Sequence, residues 1–208
     1  KLKLVDIVLE IRDARTPLIS RNSALDNAIG TKPKLIVFNK ANLADPDITK
    51  LWINKFQKED MDFLFTNALD VDAVKKILEF TRQLIERNYN RENPTGEINK
   101  KQSVMIIGLP NTGKSTLINR LSGRNATRTA NVPGHTQTQQ WIKLDQYFEL
   151  LDTPGIMPPK IETKIDGLKL CSIYAIPSKI VPDETTACFL SEFLRDHYPS
   201  AVEKRYDF

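Results

Sequence analysis

Residues 108–115 read Gly108-Leu109-Pro110-Asn111-Thr112-Gly113-Lys114-Ser115, a G-x-x-x-x-G-K-S loop between a short apolar run and a helical pattern. The motif constrains the fold tightly, because such a loop works only where a buried strand feeds directly into a helix. Ser103–Ile107 supplies the strand and Ser115–Leu121 the start of the helix. The glycines let the chain curl so that successive N–H groups converge on phosphate oxygens. Lys114 brings positive charge to the outer phosphates, the Ser115 hydroxyl suits Mg²⁺, and the helix adds its positive N-terminal end. The plain alternative, a Gly-rich turn with an incidental lysine, is disfavoured by four matched positions in a strand–loop–helix setting.

The flanking sequence builds a sheet around that strand. Leu4–Ile11 and Lys34–Phe38 are apolar runs of the buried-strand kind, Phe63–Phe65 is a shorter one, and Phe148–Leu151 ends at Asp152. Helices are predicted over Ser23–Ile29, stopped by Gly30, and from Asp45 to about Lys58, with Asp45 as N-cap and Pro46 in the first helical position. A third follows over Asp70–Arg87, where Val74, Ile77, Leu78, Leu84 and Ile85 keep a helical period. Strands alternating with helices predict an α/β fold, a mostly parallel sheet with helices on both faces. Tyr89–Lys101 reads as an exposed connector, and Arg124–Gln140, without an apolar period, as a mobile loop. Beyond Lys160 the pattern turns helical, over Glu162–Tyr174 and Glu184–His197, which divides the chain into a domain at 1–159 and a helical region at 160–208.

Composition narrows the classes. With 40% hydrophobic and 27% charged residues the chain is not of the disordered type. Two cysteines, Cys171 and Cys188, exclude a disulfide scaffold, and no Cys/His spacing points to structural zinc. No apolar run is long enough to span a bilayer, in keeping with a mean hydropathy of −0.36. A net charge of +4 and a pI near 9.0 allow an RNA partner without requiring one. The first residue is Lys1 rather than Met, from which we expect further sequence upstream, where a targeting segment would sit.

Three further segments follow strands of their own. Asp152-Thr153-Pro154-Gly155 places a carboxylate where it can hold a Mg²⁺-bound water and an N–H where it can meet a terminal phosphate. Asn39-Lys40-Ala41-Asn42 resembles the N-K-x-D signature by which GTPases read guanine. In that signature Asn bonds N7 and O6, Lys packs over the base, and Asp accepts from N1–H and the exocyclic amine. Here the last residue is Asn42, whose amide turns a donor toward the guanine amine and weakens the selectivity. Thr66-Asn67-Ala68 resembles the fifth GTPase motif, whose backbone touches guanine O6.

The order of these motifs is distinctive, since the base-reading elements precede the phosphate loop. In this the chain resembles the circularly permuted GTPases. Asp13–Asn22 (DARTPLISRN), Gly108–Leu121 (GLPNTGKSTLINRL), Pro133–Ile142 (PGHTQTQQWI) and Leu150–Ile156 (LLDTPGI) are similar to the branch of bacterial ribosome-biogenesis GTPase A and mitochondrial GTPase 1. The resemblance implies GTP hydrolysis with Mg²⁺ and, as in potassium-dependent relatives, K⁺ held by Asn111. It assigns nucleotide contacts to Asn39, Lys40, Ala41, Asn42, Asn67, Ala68, Asn111, Thr112, Gly113, Lys114, Ser115, Thr116 and Gly155. It assigns Mg²⁺ to Ser115, Thr136 and Asp152, and catalysis to Lys114, Thr136 and Gly155. Ile156 stands where other GTPases place a water-orienting glutamine, so slow turnover stimulated by the large ribosomal subunit is expected.

The same resemblance implies a monomer without DNA or an integral membrane segment. It implies a place in the mitochondrial matrix, peripheral to the inner membrane, or alternatively in the bacterial cytoplasm. His135 is an available catalytic substitute, although an exposed loop histidine is the simpler reading. Asp13 and Arg15 of the D-A-R segment read as a structural turn. Basic residues such as Arg120, Lys164, Lys169 and Lys204 fit an RNA-facing surface or a solvated face equally. A nucleotide-locked module with little turnover is the rival function, favoured by Asn42 and Ile156. An ATPase is disfavoured by Asn39-Lys40.

Overall fold

A computed structural model of the chain describes residues 4–92, 101–123, 140–144, 146–153, 155, 161–177 and 179–206. Six strands form one sheet in the order β3-β2-β1-β4-β6-β5, with β1 Ile7–Asp13, β2 Lys34–Asn39, β3 Phe63–Phe65, β4 Gln102–Gly108, β5 Gln140–Lys143 and β6 Phe148–Asp152. All neighbouring pairs are parallel except β5 with β6. The helices are α1 Ser23–Ile29, α2 Pro46–Lys58, α3 Val71–Glu92, α4 Lys114–Ser122, α5 Lys164–Ser172, α6 Asp183–His197 and α7 Pro199–Tyr206.

Period-two alternation divides the central strands between two cores. Ile7, Leu9 and Ile11 of β1, with Leu35, Val37, Val104 and Ile106, pack against Ile77 and Leu84 of α3 and Leu117 and Ile118 of α4. On the opposite face Val8, Met105, Ile107 and Leu151 meet Ile29 of α1, while Ile36 and Phe38 meet Phe56 of α2. Phe38 stacks on Phe56 with centroids 4.9 Å apart and on Phe65 at 4.6 Å, which locks the end of β2 where the base-reading motif begins. The expected cap of α2 is present, with the Asp45 carboxylate accepting from the Asp47 and Ile48 N–H groups at 2.8 and 3.1 Å.

Several boundaries differ from the sequence expectation. Strand β1 begins at Ile7 rather than Leu4, and just before it Asp6 is tied to Ser103 of β4, its backbone N–H donating to the Ser103 carbonyl and its carboxylate accepting the Ser103 N–H, both at 2.8 Å. It runs on to Asp13 because Arg12 and Asp13 pair with Phe38 and Asn39 of β2. Helix α3 continues through the first residues of the expected connector to Glu92, Tyr89 included. Gln140, placed in the expected loop, opens β5, which joins β6 through too few residues for a parallel crossover and so forms an antiparallel edge. Residues 93–100 and 124–139 lie outside the described residues. Helix α7 falls within the expected helical region at 160–208 but beyond its two expected helices, and it contains no buried residue.

Candidate nucleotide site

The strand order runs outward from β1 to β2 and β3 on one side and from β4 to β6 on the other, so the crevice lies between β1 and β4. In open α/β sheets ligands bind outside the carboxyl ends of the strands at such a switch point. The loops after β1, β2, β3, β4 and β6 all emerge at that edge, and they carry Asp13, Asn39–Asn42, Thr66–Ala68, 108–115 and Asp152.

Asn39 ties three of these loops together. Its Nδ2 donates to the Thr112 carbonyl at 2.9 Å, and its Oδ1 accepts from the Ala68 N–H at 2.9 Å. Both ends of a fully buried amide are thereby used to align the phosphate loop with the two base-reading loops. A Cβ on Gly113 would collide with the Asn39 amide nitrogen, and Gly113 sits at φ 94°, so the approach requires glycine. Gly113 also leaves the first turn of α4 without a side-chain cap, which turns its N–H groups toward the phosphate position. Asn42 stands exposed on a single 3₁₀ turn, Ala41–Leu43, directly after Lys40.

Lys40 adopts a left-handed backbone (φ 60°), and its ammonium is held at two points. Nζ donates to the Asn111 carbonyl of the phosphate loop and lies 3.2 Å from Oδ2 of Asp13. Asp13 is buried and also accepts from the Arg15 backbone N–H and from Arg15 Nε and Nη2, at 3.0, 2.9 and 2.7 Å. Burial by itself would raise the Asp13 carboxyl, but Arg15 and Lys40 outweigh it and hold the group below the usual carboxylate range.

Lys114 and Asp152 carry the opposite imbalance. Lys114 Nζ donates to the Gly108 and Leu109 carbonyls at 3.1 and 2.9 Å, and burial lowers its pKa to about 8 against a partial counterweight from Asp152. Asp152 is 1% exposed and raised to about 6 by burial, with only partial relief from Lys114 and the Thr153 N–H. Among the described residues, neither of its carboxylate oxygens has a hydrogen-bond partner of good geometry. A buried acceptor of this kind suits a hard cation. Among the described residues no cluster of three His, Cys, Asp or Glu side chains occurs, so any Mg²⁺ here would share few protein ligands with phosphate oxygens.

The raised carboxyl has a stability consequence. Between its ordinary pKa of 3.8 and about 6 the folded protein binds more protons at Asp152 than the unfolded chain, so stability falls as pH rises through that window. Asp152→Asn should abolish this fall and raise the unfolding free energy of the nucleotide-free protein at pH 7 by about 1–2 kcal/mol. The same substitution should remove the Mg²⁺ dependence of nucleotide binding. Urea unfolding at pH 5 and pH 7 measures the first effect; a destabilised variant would show that the carboxylate is not held at a cost.

The other side of the phosphate loop touches the C-terminal helices. Leu109 is packed among Leu170, Cys171, Ile173, Ala175 and Ile176, and Asn111 Nδ2 donates to the Tyr174 carbonyl at 2.8 Å. Gly155 lies so close to Pro110 that a Cβ would fall 2.9 Å from the proline nitrogen. The Glu10–Arg12 pair on β1, joined at 2.8 Å and linked to Lys34 at 3.2 Å, was not anticipated, since charges inside an apolar run carry no periodic signal. Arg12 also donates to the Pro17 carbonyl at 3.4 Å, steadying the loop that follows Asp13. Thr136, His135, Pro154 and Ile156 lie outside the described residues.

Comparison with known proteins shows the family and the fold. Residues 103–177 match the family model described as "50S ribosome-binding GTPase". Ribosome biogenesis GTPase A of Bacillus pumilus (strain SAFR-032) is 40% identical over 207 residues, covering 100% of this chain and 73% of that protein. Mitochondrial ribosome-associated GTPase 1 of Bos taurus is 34% identical over 215 residues, covering 99% of this chain and 64% of that protein. The structure of GNP-bound YlqF from T. maritima superposes with a TM-score of 0.67 at 29% identity, covering 93% of this chain and 71% of that one. With its permuted order of motifs, its fold and a similarity that runs along all of its own residues, this chain belongs to the ribosome biogenesis GTPase A family of circularly permuted GTPases.

Proposed function

We propose that the chain binds GTP across the β1/β4 crevice, hydrolyses its terminal phosphate, and serves as an assembly factor for the large ribosomal subunit. The observation that carries this reading is the Asn39 amide, which unites the phosphate loop with both base-reading loops. On this reading the Lys114 ammonium exchanges its two carbonyl partners for the β- and γ-phosphates, and the N–H groups from Gly113 to Thr116 surround the same oxygens. Lys40 covers the base, Asn42 faces its polar edge, and Asn67 and Ala68 present backbone to O6, for which the Ala68 N–H would share its bond to Asn39 Oδ1 with the base. The Gly155 N–H meets the γ-phosphate. Mg²⁺, which Ser115, Thr136 and Asp152 would hold, would supply charge neutralisation when bound; the buried Asp152 carboxylate, without a well-formed hydrogen bond among the described residues, fits such an ion. K⁺ would require Asn111 to turn its amide from Tyr174.

Residues from 160 onward are proposed as the region that carries nucleotide state to the ribosome, with α5 docked on Leu109 as its inner contact. Names of relatives support both a bacterial and a mitochondrial setting, the latter being preferred here. No helix among the described residues is long and apolar enough to cross a membrane. A monomer that does not engage DNA completes the proposal. Incubation with lysate and a non-hydrolysable GTP analogue should bring down large ribosomal subunits, and GDP should release them. Equal recovery of small subunits or of naked DNA would count against the assignment. The rival reading, a binding module with little turnover, draws its support from the neutral Asn42 in the base-reading turn.

A further inference from the structure

We propose that Asp13 is a positioning residue for the nucleobase, acting through Lys40. The inference rests on the guanine-nucleotide reading above and deepens it. A lysine stem covers a base only if its four methylenes are held across the ring. Here Lys40 leaves β2 in a left-handed turn and spans to the Asn111 carbonyl and the Asp13 carboxylate, which fix its far end. The two anchors differ in kind. The carbonyl is a neutral acceptor that moves with the phosphate loop, whereas Asp13 sits at the end of the central strand β1, fully buried. A charge on that rigid element can direct the ammonium before any nucleotide arrives, so binding need not order a flexible side chain. Arg15 shares the carboxylate, and Ser20 Oγ, which accepts from the Asp13 N–H at 3.2 Å, fixes its backbone.

The competing role for Asp13 is a turn anchor for Arg15 alone. The two are separated by combining Asp13→Asn, Lys40→Met and Arg15→Met, with GDP affinity, inorganic tripolyphosphate affinity and thermal stability measured on each. Positioning predicts that Asp13→Asn weakens GDP five- to tenfold and leaves tripolyphosphate within twofold, because the phosphate cradle is untouched. In the Lys40→Met background Asp13→Asn should then have no further effect on GDP. Arg15→Met should lower thermal stability while holding GDP affinity within twofold. Losses that multiply in the double variant, or an Arg15→Met loss equal to that of Lys40→Met, would overturn the proposal. If Asp13→Asn does not fold, Asp13→Glu takes its place and is read by the same GDP, tripolyphosphate and double-variant outcomes. Should tripolyphosphate and GDP both ignore Lys114→Ala, the nucleotide reading itself fails, an outcome distinct from failure of the Asp13 role.

Discussion

Replacing Lys114 with alanine should raise the Kd for GTP by about 100-fold, on the order of 2.7 kcal/mol. The residue is buried under the phosphate loop, and among the described residues its ammonium is held by two neutral carbonyls, with Asp152 as its counterweight. Such a charge is poorly satisfied until an anion meets it, so most of its stabilisation appears on binding, where charge-assisted bonds are strongest. The same logic fixes a second sign. Because burial holds the Lys114 pKa near 8, below its unfolded value of 10.5, the charged form costs the folded protein stability below about pH 8. The alanine variant should therefore bind far more weakly without losing stability in the absence of nucleotide. Isothermal titration with GTP and urea unfolding test the two halves separately. A Kd within threefold of the parent would mean that residues 108–115 do not cradle phosphate.

Asn42→Asp should act in the opposite direction. The 3₁₀ turn at Ala41–Leu43 leaves residue 42 exposed beside Lys40, and on the proposed nucleotide reading a carboxylate there would accept from both donors of guanine. Charged hydrogen bonds contribute about 1.5–3 kcal/mol each, so GTP should tighten by at least tenfold. Xanthine carries an acceptor in place of the amine, and the present amide should tolerate it better than aspartate does. The ratio of GTP to XTP affinity should therefore shift by about 100-fold toward GTP in the variant. An unchanged ratio would place residue 42 away from the base.

The parts of this fold that sequence revealed are those where a single local requirement dictates residue type. The loop at 108–115 needs glycines, a lysine and a hydroxyl in fixed places, and β1 and β2 are apolar because both of their faces are covered. Strand β5 escaped because it is a four-residue edge with Trp141 half exposed, and α7 because no residue of it is buried. Within the site, motif spacing brought Asn39, Lys114 and Asp152 into consideration but not what each one touches. The Asn39 amide reaches a carbonyl 73 residues away and an N–H 29 residues away, and only the sheet order brings those groups together. The Asp13–Lys40 pair is of the same kind. Its D-A-R segment reads as a turn, and the link to the base-reading lysine exists because β1 and β2 end side by side.

Single-turnover hydrolysis of GTP with and without purified large ribosomal subunits tests the proposed GTPase role most directly. Slow release of phosphate from the protein alone is expected, with an acceleration of at least tenfold on adding large subunits, small subunits inert and Lys114→Ala silent in both conditions. GTP that stays intact on the protein beyond its rate of decay in buffer, with subunits present or absent, would contradict hydrolysis and leave a binding module in its place.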